Sequence, residues 1–289
     1  MAAPVLRGRL LPAGARQGAR QLGRGASGTV ARVLQSDPVG GCLVAARFEL
    51  AGMDRQLLGG TFWGVDGGRA ALCFAGANLV PLSGSGAAVH RLADALGPRG
   101  RTCASLVGRS DRTLELWDRL APHWGPAREV RGEQPLLVCP DPPACPMDER
   151  VMPVGEDRLD DYYPAAVAMF TEEVGVDPTL GDGGRAYRAR VAGLLSAGRA
   201  YARFEGREVV FKAEIGALSS RVALIQGVWV HPDLRGRGLA APATAAVVLA
   251  AQRLDRLPSL YVNAHNDAAR ATYRRVGFRR AGSFASVLF

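Results

Sequence analysis

Lysine is nearly missing from this chain: Lys212 stands alone among 36 basic residues, the rest being arginine. Such a bias points to a GC-rich genome rather than to a phosphate-binding surface. The formal charge of +9 is concentrated at the start, where residues 1–36 hold six arginines and no acid. The remainder is only mildly basic, and no helix-turn-helix or RNA-binding signature accompanies the charge, so no nucleic-acid partner is expected. No run reaches the ~18 apolar residues of a membrane span, and no membrane association is expected. The five cysteines, Cys42, Cys73, Cys103, Cys139 and Cys145, match no zinc or redox spacing. They read as small apolar groups in a reducing compartment, and no metal is expected. Residues 1–28, rich in Gly, Ala and Arg, lack the serine content and amphipathic stripe of a transit segment. The uncharged run Leu10–Ala15 is too short for a secretory core. A disordered extension on a soluble, cytoplasmic protein is the expectation.

A length of 289 residues suggests two domains at ~150 residues each. The boundary lies at residues 140–150, where four prolines and no apolar periodicity predict an extended linker. Before it, residues 29–139 predict helices near 31–35 and 40–50, a strand 69–74, a Gly/Ser turn 83–86 and a helix 87–96. A strand 102–107, a helix 111–120 and a strand 134–138 complete that half. After it, residues 151–289 predict a strand 151–154, helices 159–174 and 184–197, a hairpin 201–218 and a strand 222–230. A glycine turn, a helix 239–254, a strand 259–263, a helix 267–276 and a last strand 283–289 follow. The order strand, glycine turn, helix, strand, helix, strand occurs in both halves, which suggests tandem copies of one α/β architecture.

The stretch 222–241 carries the strongest signal. Pro232 ends the strand, and Arg235-Gly-Arg-Gly-Leu-Ala240 opens a helix. Gly236, Gly238 and Ala240 let a ligand approach the main chain. Free N–H groups at a helix start, with Arg235 and Arg237 beside them, predict a diphosphate ligand. Leu239, Ala243, Ala246, Val247, Ala250 and Leu254 fall on one helical stripe. The pattern is neither G-x-G-x-x-G nor a nucleoside-triphosphate loop, which would carry Lys before Ser/Thr.

The turn R-x-x-G-x-A at Arg235–Ala240, after a strand ending Val228-Trp229-Val230-His231-Pro232, resembles the acetyl-CoA motif of the GNAT superfamily of N-acetyltransferases. Asn263-x-x-Asn-Asp-Ala-Ala-Arg-Ala-Thr-Tyr273-Arg-Arg-Val-Gly277-Phe278 is similar to that family's second signature. Together the two motifs place the resemblance over residues 150–289. The resemblance implies acetyl-CoA as co-substrate, a primary amine of a small molecule or peptide as acceptor, and direct attack in a ternary complex. It implies tandem domains, each a mixed, mostly antiparallel sheet flanked by helices, with a degenerate first copy. The loop amides Arg235, Gly236, Arg237, Gly238, Leu239, Ala240 and Ala241 would hold the coenzyme's diphosphate, and Val228, Trp229 and Val230 would pair with its pantetheine arm. Tyr273 matches the family's general acid. A non-catalytic acyl-CoA sensor or scaffold is the alternative.

Amide formation needs a neutral amine. Removing the proton from a lysine-like ammonium costs about 4.6 kcal/mol at pH 7, or ~3.4 pKa units at ~1.36 kcal/mol each. Glu214 is the first candidate base, although strand alternation puts Lys212 on its face and a surface ion pair explains both. Gln226 stands where some relatives carry a carboxylate and cannot accept a proton. His231 and His265 adjoin turns and can simply cap them. Asn263 and Asn266 are candidate contacts to the pantetheine arm, Asn266 also being a helix N-cap candidate. Gly227, two residues before Trp229, suggests a bulge that frees a donor for the thioester carbonyl. Glu172 and Glu173 are candidates for receiving an ammonium.

Overall fold

The computed structural model describes residues 18–289. Its first half runs β1 (Arg20–Gln21), α1 (Ser27–Ser36), α2 (Cys42–Ala51), α3 (Arg55–Leu58), β2 (Gly60–Val65), β3 (Ala71–Gly76), β4 (Asn78–Ser83), α4 (Ala87–Leu96), β5 (Ser105–Arg109), α5 (Ser110–Trp124) and β6 (Glu129–Val138). The second half runs β7 (Met152–Pro153), α6 (Leu159–Val174), α7 (Arg185–Ser196), β8 (Ala200–Glu205), β9 (Glu208–Leu218), β10 (Val222–Val230), α8 (Ala240–Gln252), β11 (Leu257–Tyr261), α9 (Asp267–Val276) and β12 (Arg279–Leu288).

Local chemistry explains the limits of the second-half elements. Asp160 and Asp161 lie in the first turn of α6, where acids suit the dipole, and Gly175 ends it in the left-handed region at φ +72°. Asn266 caps α9 by accepting from the Ala269 N–H at 3.0 Å, and Gly277 stops it at φ +108°. Along β9, Phe211, Ala213 and Ile215 pack with α8 and α9. The alternate residues Lys212 and Glu214 therefore face α6, whose Tyr162 reaches Glu214, so α6 and α9 cover opposite faces of the sheet.

All strands join one sheet in the order β1-β2-β3-β4-β5-β12-β6-β11-β10-β9-β8-β7. The pairs β4·β5 and β10·β11 are parallel, and the others are antiparallel. Each half thus has the same mixed layout. The halves also exchange their last strands: β12 lies between β5 and β6, and β6 lies between β12 and β11. A strand of the first half is therefore hydrogen-bonded on both edges to the second.

Several expectations are corrected. Residues 18–28 are structured, because the Leu22 N–H donates to Phe62 at 2.8 Å and its side chain is buried; residues 1–17 of the expected disordered extension lie outside the described residues. Residues 140–150 have neither strand nor helix, yet Ala144 and Asp148 donate to Val276 and Pro242 at 2.9 and 3.0 Å. This connection is pinned to the second half. Leu254 is 47% exposed, while Ala241, Thr244, Ala245, Val248 and Ala251 of α8 are buried. An alanine-rich helix buries more than one side, so no single stripe marks its core face. The cysteines, by contrast, fit their reading as small apolar groups: all are free and four are buried, and burial pushes the Cys42 thiol up to about 11. Among the described residues no helix is long and apolar enough to cross a membrane.

One ion pair joins the exchanged strand to the first half's helices. Arg109 donates to both oxygens of Asp37 at 2.8 and 2.6 Å and to the Ala281 carbonyl of β12 at 2.8 Å. Burial opposes the Asp37 charge, but hydrogen bonds from Arg109 and the Gly40 N–H outweigh it and lower its pKa. A lowered carboxyl pKa gives stability that is present above the unfolded value, about 3.9, and lost as pH falls through the folded one. Asp37→Asn should lower stability by about 1–3 kcal/mol at pH 7 and flatten the acid limb of a urea-unfolding series below about pH 4.

Candidate active site

A gap opens where β10 and β11 part. They pair only over 222–224 with 257–259, whereas β10 continues to Val230 along β9. Backbone from Ile225 onward is left without a β11 partner. One register shift falls between Leu224 and Ile225 and a second between Gln226 and Trp229, and Gly227 lies within the second at φ +60°. The expected bulge is present. A Cβ at Gly227 would stand 3.0 Å from Met169 Cε and 3.1 Å from Lys212 Nζ, and the positive φ favours glycine there.

The glycine turn stands at one end of this gap. Gly236 and Gly238 have φ of +74° and +78°, and nothing lies within 4 Å of where their Cβ atoms would be. No side chain caps α8, whose first N–H groups therefore lack a side-chain acceptor. An exposed, Cβ-free turn against an uncapped helix start has the form of a diphosphate cradle. Leu239, Ala240 and Ala241 continue it into the helix, and Arg237 is exposed beside it.

Arg235 is placed differently from the sequence expectation. It folds back so that Nη1 and Nη2 donate to Glu172 at 2.8 and 2.7 Å and Nε donates to the Val230 carbonyl at 3.1 Å. Trp229 Nε1 donates to the same carboxylate at 3.3 Å. The Arg235 hydrogen bonds, against burial and with help from Trp229, hold Glu172 below its ordinary pKa. Two side chains assigned to diphosphate and to amine instead neutralise each other and tie α6 to the loop.

Glu214 is also corrected. It faces Lys212 as alternation predicts, but both side chains are wholly buried, at 2.6 Å, rather than forming a surface pair. Tyr162 Oη lies 3.4 Å from the same Glu214 oxygen, and half-exposed Arg190 lies 4.0 Å from the other. Burial opposes the Glu214 charge, but attraction and hydrogen bonding from Lys212 outweigh it and lower the pKa, while burial lowers that of Lys212. A sealed carboxylate committed to a buried ammonium is poorly placed to take a proton from an amine. Its position behind Gly227 suits it to support the bulge.

Tyr273 points inward from α9 and packs edge-on against Phe278 with ring centroids 5.7 Å apart. Burial, and then the charge of Glu173, push its pKa well above the ordinary tyrosine value. Asn263, just past β11, accepts from Gln134 Nε2 at 2.8 Å and donates to Glu173 Oε1 at 3.4 Å. Asn266 is committed to its cap. His231 Nε2 lies 3.2 Å from Glu208, away from the gap's paired end, and His265 is exposed. Asn263 thus joins Gln134 of β6 to Glu173 of α6, and Tyr273 lies in the core beneath α9.

Residues 182–278 match the acetyltransferase (GNAT) family, and residues 60–162 match a domain of unknown function, DUF4081. The second half carries a GNAT-family domain. Among solved structures, a GNAT-family acetyltransferase from Colwellia psychrerythraea is 13% identical with a TM-score of 0.57, the alignment covering 94% of this chain and 99% of that one. A Drosophila protein is 14% identical with a TM-score of 0.59 over 94% and 99% of the two chains. A GCN5-related N-acetyltransferase-like protein from Streptococcus suis is 14% identical with a TM-score of 0.57 over 92% and 99%. These likenesses concern the fold, and they extend it across both halves. No curated protein matches.

The first half keeps the GNAT layout without a GNAT site. Its β4·β5 pair is parallel only at 78–79 with 105–106, mirroring β10·β11. The corresponding strand carries Pro81, which has no N–H to offer, and Arg112 of α5 donates to the Leu82 carbonyl. The helix α5, in the place of α9, contains no tyrosine. The first copy thus lacks a backbone donor at Pro81 and a tyrosine on α5.

Proposed function

We propose that the second half transfers an acetyl group from acetyl-CoA to a primary amine of a small molecule or peptide, by direct attack in a ternary complex. One observation carries this reading: an open glycine turn and an uncapped helix stand at the end of a strand whose adjoining edge is unpaired and bulged. Backbone N–H groups of 235–241 would hold the diphosphate, and the free edge at 228–230 would pair with the pantetheine arm. A bulge donor there would polarise the thioester carbonyl.

Atoms and protons then balance as follows. The ammonium loses one proton to a base, and its nitrogen forms the C–N bond as the C–S bond breaks. Tyr273 gives its proton to the departing sulfur, and the second proton from nitrogen restores the phenol. The first proton passes to solvent. The reading is tested by incubating the folded chain with acetyl-CoA and a panel of amines while following free thiol. Release that depends on the amine supports transfer; binding of acetyl-CoA without release under any acceptor supports the sensor alternative.

A further inference from the structure

The exchanged strand β6 brings first-half side chains to the second half's opening. Arg131 donates from Nη1 to Glu173 Oε1 at 2.9 Å and from Nη2 to the Glu173 carbonyl at 2.7 Å. Arg128 donates to the Val174 carbonyl at 2.7 Å. Two arginines thus close the C-terminus of α6, where carbonyls lack intrahelical donors and the dipole end is negative. Arg131 is itself held by Glu129 at 2.8 and 3.0 Å, and its side chain is 13% exposed.

A second arm reaches the same carboxylate. Gln134, almost fully buried, accepts from Ser286 at 2.7 Å and donates to Asn263 Oδ1 at 2.8 Å. This orients the Asn263 amide with its N–H groups toward Glu173 Oε1. Arg131 and Asn263 therefore converge on one oxygen. The other, Oε2, accepts no hydrogen bond among the described residues, and the Glu173 side chain is 53% exposed. Such an arrangement fixes a carboxylate while leaving one oxygen for an incoming donor.

We propose that Glu173 receives the proton of the acceptor ammonium and that Arg131 and Asn263 position it, so the degenerate first half supplies through β6 a working part of the active site. The inference rests on the acetyl-transfer reading above. It also fits the electrostatics of the acid: Glu173 on α6 and Tyr273 on α9 belong to opposite faces of the sheet, yet the carboxylate charge is felt at the phenol. The acceptor class is an amine that carries its proton at neutral pH.

The test compares wild type with Glu173→Gln, Arg131→Met and Arg131→Lys, following thiol release from acetyl-CoA. One probe is the fastest alkyl amine among benzylamine, spermidine and lysine methyl ester; the other is methoxyamine, which is neutral at pH 7. Glu173→Gln should lower kcat with the alkyl amine about 100-fold, with methoxyamine by no more than about threefold, and change KM for acetyl-CoA by no more than about twofold. Arg131→Met should lower the alkyl-amine rate about tenfold, and Arg131→Lys should recover part of it. Equal losses with both acceptors, or no loss, overturn the proposal, because a structural role does not distinguish a charged amine from a neutral one. Wild type that releases no thiol with any probe overturns the acetyl-transfer reading and this proposal with it.

Discussion

Lys212→Met should destabilise the chain by about 3–5 kcal/mol, because it leaves the Glu214 carboxylate buried without its partner. Both side chains are fully buried and share a 2.6 Å contact. Tyr162 and a distant Arg190 cannot replace an ammonium at that distance. Methionine fills a similar volume, so the loss measures charge rather than a cavity. The double change Lys212→Met with Glu214→Leu should regain most of the stability, since an apolar pair of similar size needs no desolvation. Urea unfolding of the two variants checks this. A single variant as stable as wild type would show that the pair is not what holds the floor of the bulge.

Tyr273→Phe should lower kcat about 10²–10³-fold with KM for acetyl-CoA unchanged within about twofold. The ring's edge-on contact with Phe278 is kept, so the variant should fold as wild type does. Only the proton on its way to sulfur is removed. Because burial and Glu173 raise the phenol's pKa, it stays protonated beyond the ordinary value of about 10. The wild-type kcat plateau should therefore hold through alkaline pH instead of falling where a free tyrosine ionises. Steady-state rates of thiol release at saturating acceptor measure both effects. Equal turnover by the Phe variant would remove Tyr273 from the chemistry.

The conformation of the glycine turn and the inward packing of Tyr273 were legible in the sequence, from small residues at fixed spacing and from the helical period. Gly227 was legible too, since glycine in the interior of a strand invites a bulge. Helices α6 and α9 and strand β10 match their expected limits residue for residue, each being closed by a glycine, a cap or a proline. Strands β2 and β4 were not read: Gly60 and Gly64 weaken one pattern and Pro81 interrupts the other. The exchange of β6 and β12 leaves no local mark, because a buried strand has the same alternation whichever neighbours it pairs with. Alternation placed Lys212 and Glu214 on one face but could not give the depth of that face. The pairing of Glu172 with Arg235 and of Glu173 with Arg131 spans 63 and 42 residues, beyond any periodic signal.

The central claim is that the main chain of residues 235–241 holds the diphosphate of coenzyme A. Calorimetric titration of acetyl-CoA into the folded chain, with the Gly238→Glu variant alongside, tests it most directly. The account predicts one-to-one association with a dissociation constant on the order of 1–100 µM, lost when a side chain and a negative charge are placed at a left-handed position in the cradle. No association by the folded wild type, or equally tight association by the Gly238→Glu variant, would contradict it.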